Sequence, residues 1–260
     1  MIKPNFFIIG AAKCATTTLT SLLNVHPQAA IVKDKEPHFF SRQPDTRSAL
    51  EGYLSLYEHC SNEIAIGDAS TSYSRIRYNP NTIKRIYDFA PEAKFIYMVR
   101  NPLERIESAY SERLMTPNIR HIESLSQSIY QTPMMLDSSR YWEVFDTYRQ
   151  TFPEKNIMVV WFEEFIQNQP QVYASICRFL GIKNSTEIAS QPYHYNSRAA
   201  KEKRFASQGQ SFNNYDTQWD ADTRSYVINE LREDNLQLLR YFNKGDDYWG
   251  DIFNDSKTIR

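Results

Sequence analysis

The amino-acid sequence predicts an α/β protein in which helices on both faces cover a central, mainly parallel sheet. Short apolar runs alternate along the chain with longer stretches whose apolar residues are spaced three and four apart. This alternation is typical of parallel sheets, whose strands are buried on both faces. At 260 residues the chain is long enough for one well-filled core, so we expect a single domain over residues 1–260.

Strands and helices are predicted in order from these two patterns. The predicted strands are residues 5–10, 63–68, 93–100 and 156–165. The predicted helices are residues 16–25, 80–89, 102–115, 121–131, 138–151, 169–180 and 221–242. Two helices follow an Asn-Pro pair, "NPNT" at 79–82 and "NPLER" at 101–105, where asparagine would be the N-cap and proline the first helical residue. The polar stretch 184–220 has no clear period and is expected to be an irregular segment that covers a site.

Composition excludes several classes of protein. The formal net charge of -1 argues against a generally basic nucleic-acid binder. Three widely spaced cysteines without CxxC pairing argue against a disulfide framework and against a zinc site, and they fit a reducing compartment. No apolar run reaches the roughly 18 residues of a membrane span, and the first run is too short for a secretory signal. We therefore expect a cytoplasmic protein without a membrane span or a nucleic-acid partner.

A lysine and three threonines stand where the first predicted strand gives way to the first predicted helix. The stretch is "FFIIGAAKCATTTLTSLL", residues 6–23. A helix N-terminus that follows a strand directs backbone N–H groups and the positive end of the helix dipole at one spot, which binds anions. Lys13 and the hydroxyls of Thr16, Thr17 and Thr18 would add a charge and further donors. The pattern predicts a phosphate cradle, and a plain strand–turn–helix is the alternative.

This cradle differs from the loop that binds nucleoside triphosphates with Mg²⁺. In GxxxxGK[ST] the lysine directly precedes the hydroxyl residue. Here Lys13 lies three residues before the first threonine, and Ala15 takes the place of the second glycine. "GAAKCATTTL" instead resembles the 5′-phosphosulfate loop of the sulfotransferases that use 3′-phosphoadenosine 5′-phosphosulfate (PAPS), usually Lys-x-Gly-Thr-Thr after a first strand. The resemblance implies donor contacts from Ala12, Lys13, Cys14, Ala15, Thr16, Thr17 and Thr18.

A second segment, "AKFIYMVRNPLERIESAYSERL" at 93–114, resembles the 3′-phosphate element of the same family. That element has an arginine at a strand end, then Asn/Asp-Pro, and a serine eight residues beyond the arginine. Arg100 and Ser108 match it, and an arginine can hold a phosphate with two hydrogen bonds. In the family a basic loop closes over the same phosphate, so the resemblance also implies a contact from Arg198 or Lys201, in "YHYNSRAAKEKRF" at 193–205.

The resemblance covers most of the chain and implies a P-loop-like fold. "KEPHFF" at 35–40 is similar to the carbohydrate type of sulfotransferase, heparan-sulfate-like and bacterial, more than to the steroid and phenol type. The implied reaction moves a sulfuryl group from PAPS to an acceptor hydroxyl or amine and leaves the bisphosphate PAP, without a metal. Glu36 is implied as the general base and Lys13 as the cation that meets charge growing on the leaving phosphate. His38 is the competing base.

The acceptor is expected to be a carbohydrate, a glycolipid or a small molecule, and Ser70 and Tyr73 are candidates to face it. The sequence carries Asp68-Ala69-Ser70 where heparan-sulfate enzymes have a lysine motif, which makes recognition of such a polyanion doubtful. Two alternatives stay open at this point, a small-molecule kinase with a P-loop and a non-catalytic member that binds nucleotide or glycan. The sequence does not determine the oligomeric state.

Overall fold

The computed structural model describes residues 2–33, 36–115, 124–190, 203, 206–207 and 216–253. The chain divides into two compact units. The first comprises Met1–Arg100 and Phe145–Tyr195, and the second comprises Asn101–Val144 and Asn196–Arg260. The single domain over residues 1–260 stays a prediction.

The first unit contains a sheet of five parallel strands in the order β2-β3-β1-β4-β5. The strands are β1 (Phe6–Gly10), β2 (Ala29–Ile31), β3 (Ala65–Asp68), β4 (Lys94–Val99) and β5 (Ile157–Trp161). Every residue of β1 is buried, as an apolar central strand requires. The chain leaves β1 toward one edge of the sheet and later crosses to the other side at β4. The carboxyl ends of β1, β3 and β4 therefore meet where parallel α/β sheets commonly bind ligands.

Helices flank the sheet and make up most of the second unit, which confirms the predicted fold class. The described helices are α1 (Thr16–Asn24), α2 (Phe39–Arg42), α3 (Arg47–Ser55), α4 (Thr82–Phe89), α5 (Pro102–Leu114), α6 (Leu125–Gln131), α7 (Met134–Asp137), α8 (Tyr141–Thr151), α9 (Phe162–Gln167), α10 (Gln169–Leu180), α11 (Thr186–Ala189) and α12 (Ala221–Tyr241). Single 3₁₀ turns occupy Thr71–Ser74, Glu154–Asn156 and Asp251–Phe253. None of the helices in the described ranges is both long and apolar enough to cross a membrane.

Aromatic side chains fill the core of the first unit. Phe7 of β1 stacks on Phe95 of β4 with ring centroids 5.7 Å apart. Phe40 of α2 meets Phe7 edge to face at 5.8 Å, and Tyr73 meets it at 6.1 Å. Such pairs bury large apolar areas and add about 0.5–1.5 kcal/mol each beyond that burial. The packing fixes α2 and the turn at Thr71–Ser74 against the central strand.

Polar contacts organise the second unit. The Asn101 side chain caps α5 by accepting from the N–H groups of Leu103 and Glu104 at 3.0 and 3.3 Å, with Pro102 next, as "NPLER" predicts. Asp234 of α12 accepts from the N–H groups of Trp142 and Glu143, 3.0 and 2.9 Å away at the start of α8. The Asn101 carboxamide at α5 and the Asp234 carboxylate at α8 thus accept from N–H groups that have no acceptor within their own helix.

Two predicted boundaries were wrong, and one strand was missed. The N-cap of α4 is Asn81 rather than Asn79, whose N–H closes a turn onto the carbonyl of Arg75 at 2.9 Å. The fourth predicted strand ends at Trp161, because "FEEFIQ" forms the helix α9. The three-residue strand β2 was not predicted. Most of the irregular segment predicted at 184–220, and the start of the helix predicted at 121–131, lie outside the described residues.

Candidate active site at the carboxyl edge of the sheet

The loop after β1 takes a conformation that few residues adopt. Gly10 has φ 137°, and Lys13 and Ala15 lie in the left-handed region at φ 75° and 64°. A Cβ at Gly10 would collide with the Ser74 Oγ and come within 3.4 Å of the Thr71 carbonyl. Glycine is therefore required where the loop passes the Thr71–Ser74 turn. Left-handed residues are a component of the backbone turns that bind anions through their N–H groups.

Helix α1 begins without a side-chain cap, because its N-cap is Ala15. The N–H groups of its first turn have no acceptor within the helix, so they are suited to an anionic ligand. Lys13 is half-buried in the loop. Thr17 is the half-buried member of the three threonines, whereas Thr16 and Thr18 are buried at 5% and 4% exposure. Among the residues of the predicted cradle, Lys13 and Thr17 are thus the ones whose polar side chains are partly exposed, together with the backbone groups at the start of α1.

Cys14 and Ala15, both predicted to contact the donor, cannot do so through a polar side chain. The Cys14 side chain is fully buried, with Sγ 4.0 Å from the Ala12 carbonyl, so it lines the core rather than the loop surface. Any contribution of Cys14 to an anion site is therefore through its backbone. Ala15 occupies a left-handed position that favours glycine, which explains why a glycine is usual there in the family the loop resembles.

Arg100 at the end of β4 reaches the same loop. Its Nη1 donates to the Lys13 carbonyl at 3.4 Å, and its guanidinium lies 4.3 Å from the centre of the Phe162 ring. The ring of Phe162 supports the guanidinium by a cation–π contact. The structure therefore brings together Lys13 and Arg100, which the sequence placed in two distant motifs.

The other three residues predicted to contact the 3′-phosphate are Ser108, Arg198 and Lys201. Ser108 is half-buried on α5, in the second unit. Arg198 and Lys201 lie outside the described residues. The roles of these three residues stay predictions.

Glu36 and His38 lie in a strained loop that follows β2. Both residues are left-handed, with φ 62° and 55° on either side of Pro37. The His38 Nε2 lies 3.4 Å from the Glu36 Oε2, and the two side chains keep 19% and 28% of their surface exposed. Burial lowers the pKa of His38, helped by the positive charge of Arg42, although Glu36 acts in the opposite direction. His38 is therefore neutral at neutral pH and lies beside the partly exposed carboxylate of Glu36.

Three consecutive hydroxyl residues hold this loop. The Ser70 Oγ accepts from the His38 backbone N–H at 3.1 Å. The Thr71 Oγ1 donates to the Glu36 Oε2 at 2.9 Å. The Ser72 Oγ lies 2.7 Å from the His38 Nδ1. One short segment after β3 thus contacts both candidate bases.

Asp68 lies beneath these contacts and is completely buried. It accepts hydrogen bonds from Ser70 at 2.7 Å, from Tyr73 at 2.7 Å and from Tyr53 at 2.8 Å. Burial raises the pKa of Asp68 to about 6, even though its three O–H donors act to lower it. The buried carboxylate is therefore close to its titration range at neutral pH.

The structure corrects the predicted roles of Ser70 and Tyr73. Both side chains are fully buried and hydrogen-bonded to Asp68, so they support the site from beneath rather than face an acceptor. Sequence reasoning also missed Asp68, Thr71 and Ser72. The available signal was the run "DASTSY", in which a carboxylate ends a buried strand and three hydroxyl residues follow within four positions.

Metal-ligating side chains are not clustered in the part of the chain that the structure describes, where no three His, Cys, Asp or Glu residues are placed to hold an ion together. The chemistry that these residues offer is anion binding, electrostatic stabilisation and proton abstraction by a carboxylate.

Comparison with known proteins finds one family over nearly the whole chain. The family model described as "Sulfotransferase domain" matches residues 3–255. The human heparan sulfate glucosamine 3-O-sulfotransferase 6 is 26% identical over 200 residues, which are 75% of this chain and 56% of that protein. The chain spans between about a quarter and about half of the length of the curated relatives it matches.

Solved structures resemble the chain over most of its length. A sulfotransferase from Alicyclobacillus acidocaldarius is 27% identical with a TM-score of 0.68, covering 94% of this chain and 98% of that one. A mouse sulfotransferase, SULT7A1, complexed with PAP, is 18% identical with a TM-score of 0.50, covering 73% of this chain and 62% of that one. The second likeness concerns the fold alone.

Proposed function

The chain belongs to the sulfotransferase domain family, and on this premise we propose that it transfers a sulfuryl group from PAPS to a hydroxyl or amine of a carbohydrate, a glycolipid or a small molecule. One observation carries the proposal. The Lys13 loop, which ends in a helix without a side-chain cap, lies within hydrogen-bond distance of the Arg100 guanidinium. This arrangement offers a doubly anionic donor both backbone N–H groups and two cations.

The residues present fit the two charged ends of PAPS. Backbone N–H groups of the α1 N-terminus, with Lys13 and Thr17, would hold the 5′-phosphosulfate. Arg100, supported by Phe162, would hold the 3′-phosphate, with Ser108 and either Arg198 or Lys201 as further predicted contacts. A mouse sulfotransferase of the same fold has been solved with PAP, the product that such a donor leaves.

The bound donor supplies an activated sulfuryl group, and the protein residues position it and manage charge and one proton. In the transfer, the acceptor oxygen or nitrogen forms a bond to sulfur while the bond from sulfur to the bridging phosphate oxygen breaks. The bond electrons stay on that phosphate oxygen. Lys13 and the N–H groups of the loop stabilise the charge that grows there. The acceptor proton passes to a protein base.

Glu36 is the base we propose. Its carboxylate remains partly exposed, and the Thr71 hydroxyl orients it. A carboxylate held in one direction by its neighbours is more effective as a base because it needs no reorganisation during the reaction. His38 is the competing candidate, since it is neutral and lies beside Glu36.

A ligand comparison and a transfer assay together test the proposal. We expect PAP to raise the thermal unfolding temperature of the protein, and ATP with Mg²⁺ to raise it little or not at all. We also expect label from ³⁵S-PAPS to appear in desulfated heparan chains or short neutral oligosaccharides. Stabilisation by ATP with Mg²⁺ but not by PAP would favour a kinase. Stabilisation by PAP with no transfer to any acceptor in a host extract would indicate a non-catalytic member.

The acceptor class and the cellular location belong to the proposal as well. A carbohydrate is favoured because the heparan sulfate enzyme named above is a relative over 75% of this chain. Asp68-Ala69-Ser70 is buried and offers no cation to a polyanion, which favours an acceptor of lower charge than heparan sulfate. The cytoplasmic location rests on the three cysteines, which are free and buried.

A further inference from the structure

The hydroxyls of Ser70, Thr71 and Ser72 contact the Glu36–His38 loop at three different atoms. These atoms are the His38 backbone N–H, the Glu36 Oε2 and the His38 Nδ1. Glu36 and His38 are left-handed without being glycine, which is an unfavourable backbone conformation for both residues. Such a conformation persists only when surrounding contacts impose it, and the three hydroxyls supply contacts of that kind.

The direction of each hydrogen bond follows from the proton count. A serine hydroxyl has one proton. Ser70 gives its proton to the Asp68 Oδ1, so the Ser70 lone pair is left to accept from the His38 N–H. Asp68 therefore fixes which way Ser70 points.

The same reasoning applies to the His38 ring. The Ser41 Oγ lies 3.2 Å from the His38 carbonyl oxygen but only 2.6 Å from the Ser72 Oγ, so the shorter contact favours a Ser41 proton directed at Ser72. The Ser72 proton is then available for the His38 Nδ1, 2.7 Å away. The ring proton is on the His38 Nε2, where it faces the Glu36 Oε2 at 3.4 Å; the other tautomer would direct a ring lone pair at the carboxylate.

We propose that Ser70, Thr71 and Ser72, anchored by Asp68, position Glu36 and His38: Thr71 orients the Glu36 carboxylate, and Ser72 holds His38 as the Nε2–H tautomer, whose N–H points to that carboxylate. This proposal rests on the proposed sulfuryl transfer. In it, Glu36 takes the acceptor proton, and the His38 Nε2–H acts with the Thr71 hydroxyl to hold the carboxylate in place. The hydroxyl residues touch neither donor nor acceptor, so they act as positioning residues.

Kinetics of Thr71 variants test the first half of the proposal, that Thr71 orients the Glu36 carboxylate. Thr71→Val removes the hydroxyl with little change of shape, Thr71→Ser keeps it, and Thr82→Val is the matched control. Thr82 lies on α4, is buried, and its Oγ1 contacts no partner among the described residues. We expect Thr71→Val to lower kcat about tenfold to a hundredfold with PAP affinity unchanged, because a misplaced base loses that much. Thr71→Ser should retain most of the wild-type kcat, and Thr82→Val all of it. Wild-type kcat in Thr71→Val would overturn this half.

Imidazole NMR tests the second half without any turnover. In protein labelled with ¹⁵N-histidine, at a pH where His38 is neutral, the wild-type signal that disappears in His38→Asn should show the Nε2–H tautomer. Ser72→Ala should shift His38 toward the Nδ1–H tautomer, and Thr82→Val should not. A wild-type His38 in the Nδ1–H tautomer would refute the assignment. Failure of the proposed function would be seen separately, as wild-type protein that binds no PAP.

Discussion

The replacement Asp68→Asn decides which of two opposing effects controls the buried carboxylate beneath the site. Burial favours the protonated acid, whereas the O–H groups of Ser70, Tyr73 and Tyr53 favour the carboxylate. Burial has the larger effect, and the pKa of Asp68 rises to about 6. In the unfolded chain the same carboxyl has a pKa of about 3.9.

The sign and size of the pH effect follow from this difference. The folded state binds the Asp68 proton more tightly than the unfolded state, so the Asp68 contribution to the free energy of unfolding grows as pH falls from 7 toward 4. The difference between a pKa of about 6 in the folded state and about 3.9 in the unfolded state corresponds to roughly 3 kcal/mol in the free energy of unfolding. About 1 kcal/mol of this appears between pH 7 and pH 5, and most of the rest by pH 4.

Urea unfolding of wild type and Asp68→Asn at pH 7 and pH 5 measures this effect. The asparagine variant cannot titrate, so the wild-type advantage should increase by about 1 kcal/mol on going to pH 5. Asp246→Asn is a control of opposite sign. Arg240 lowers the pKa of Asp246, so that carboxylate adds stability that is lost only as pH falls below the unfolded pKa of about 3.9. A wild-type advantage over Asp68→Asn that is flat or shrinks toward pH 5 would show that the three donors outweigh burial. If Asp68→Asn does not fold, ¹³C titration of the wild-type carboxyl gives the same answer.

Three further predictions concern the proposed transfer. Lys13→Ala should lower kcat at least about a hundredfold without unfolding the protein, because it removes the cation that meets the leaving phosphate. Steady-state kinetics with ³⁵S-PAPS measure this effect, and a near-normal rate would remove Lys13 from the mechanism. Glu36→Gln should lower kcat about a hundredfold or more with PAP affinity unchanged, and His38→Ala should do less; the reverse order would make His38 the base. Arg100→Lys keeps the charge but loses the planar fork, so PAP should bind about tenfold more weakly by calorimetry; unchanged affinity would place the 3′-phosphate elsewhere.

The sequence predicted the parts of the fold whose signal is local and strong. The continuous apolar run of β1 and the Asn101-Pro102 start of α5 are examples of this kind. The strand β2 was missed because "AAI" has only three residues and little β-branched character. "WFEEF" was predicted as strand because its apolar and acidic residues also suit alternation, but after Trp161 the chain turns into α9.

The sequence pointed to the charged residues of the candidate site, but not to the backbone conformation and the hydrogen bonds around them. Lys13, Glu36 and Arg100 were predicted because the motifs around them resemble those of the family, and the structure brings Arg100 to the Lys13 loop. The left-handed backbone at Glu36 and His38 follows from tertiary contacts and has no signal in "KEPHFF". Ser70 and Tyr73 were assigned to the acceptor because "GDASTSYS" at 67–74 occupies the place of the substrate-side strand end of the family it resembles. Their actual partner, Asp68, required the three-dimensional packing of α3 and the Thr71–Ser74 turn.

A crystal structure with PAP bound tests the central claim most directly. We expect the 5′-phosphate on the backbone N–H groups at the start of α1, next to Lys13, and the 3′-phosphate on the Arg100 guanidinium. The Glu36 carboxylate should face the space beyond the 5′-phosphate, where an acceptor would enter. PAP bound at another surface, or in this loop with its 3′-phosphate away from Arg100, would contradict the account.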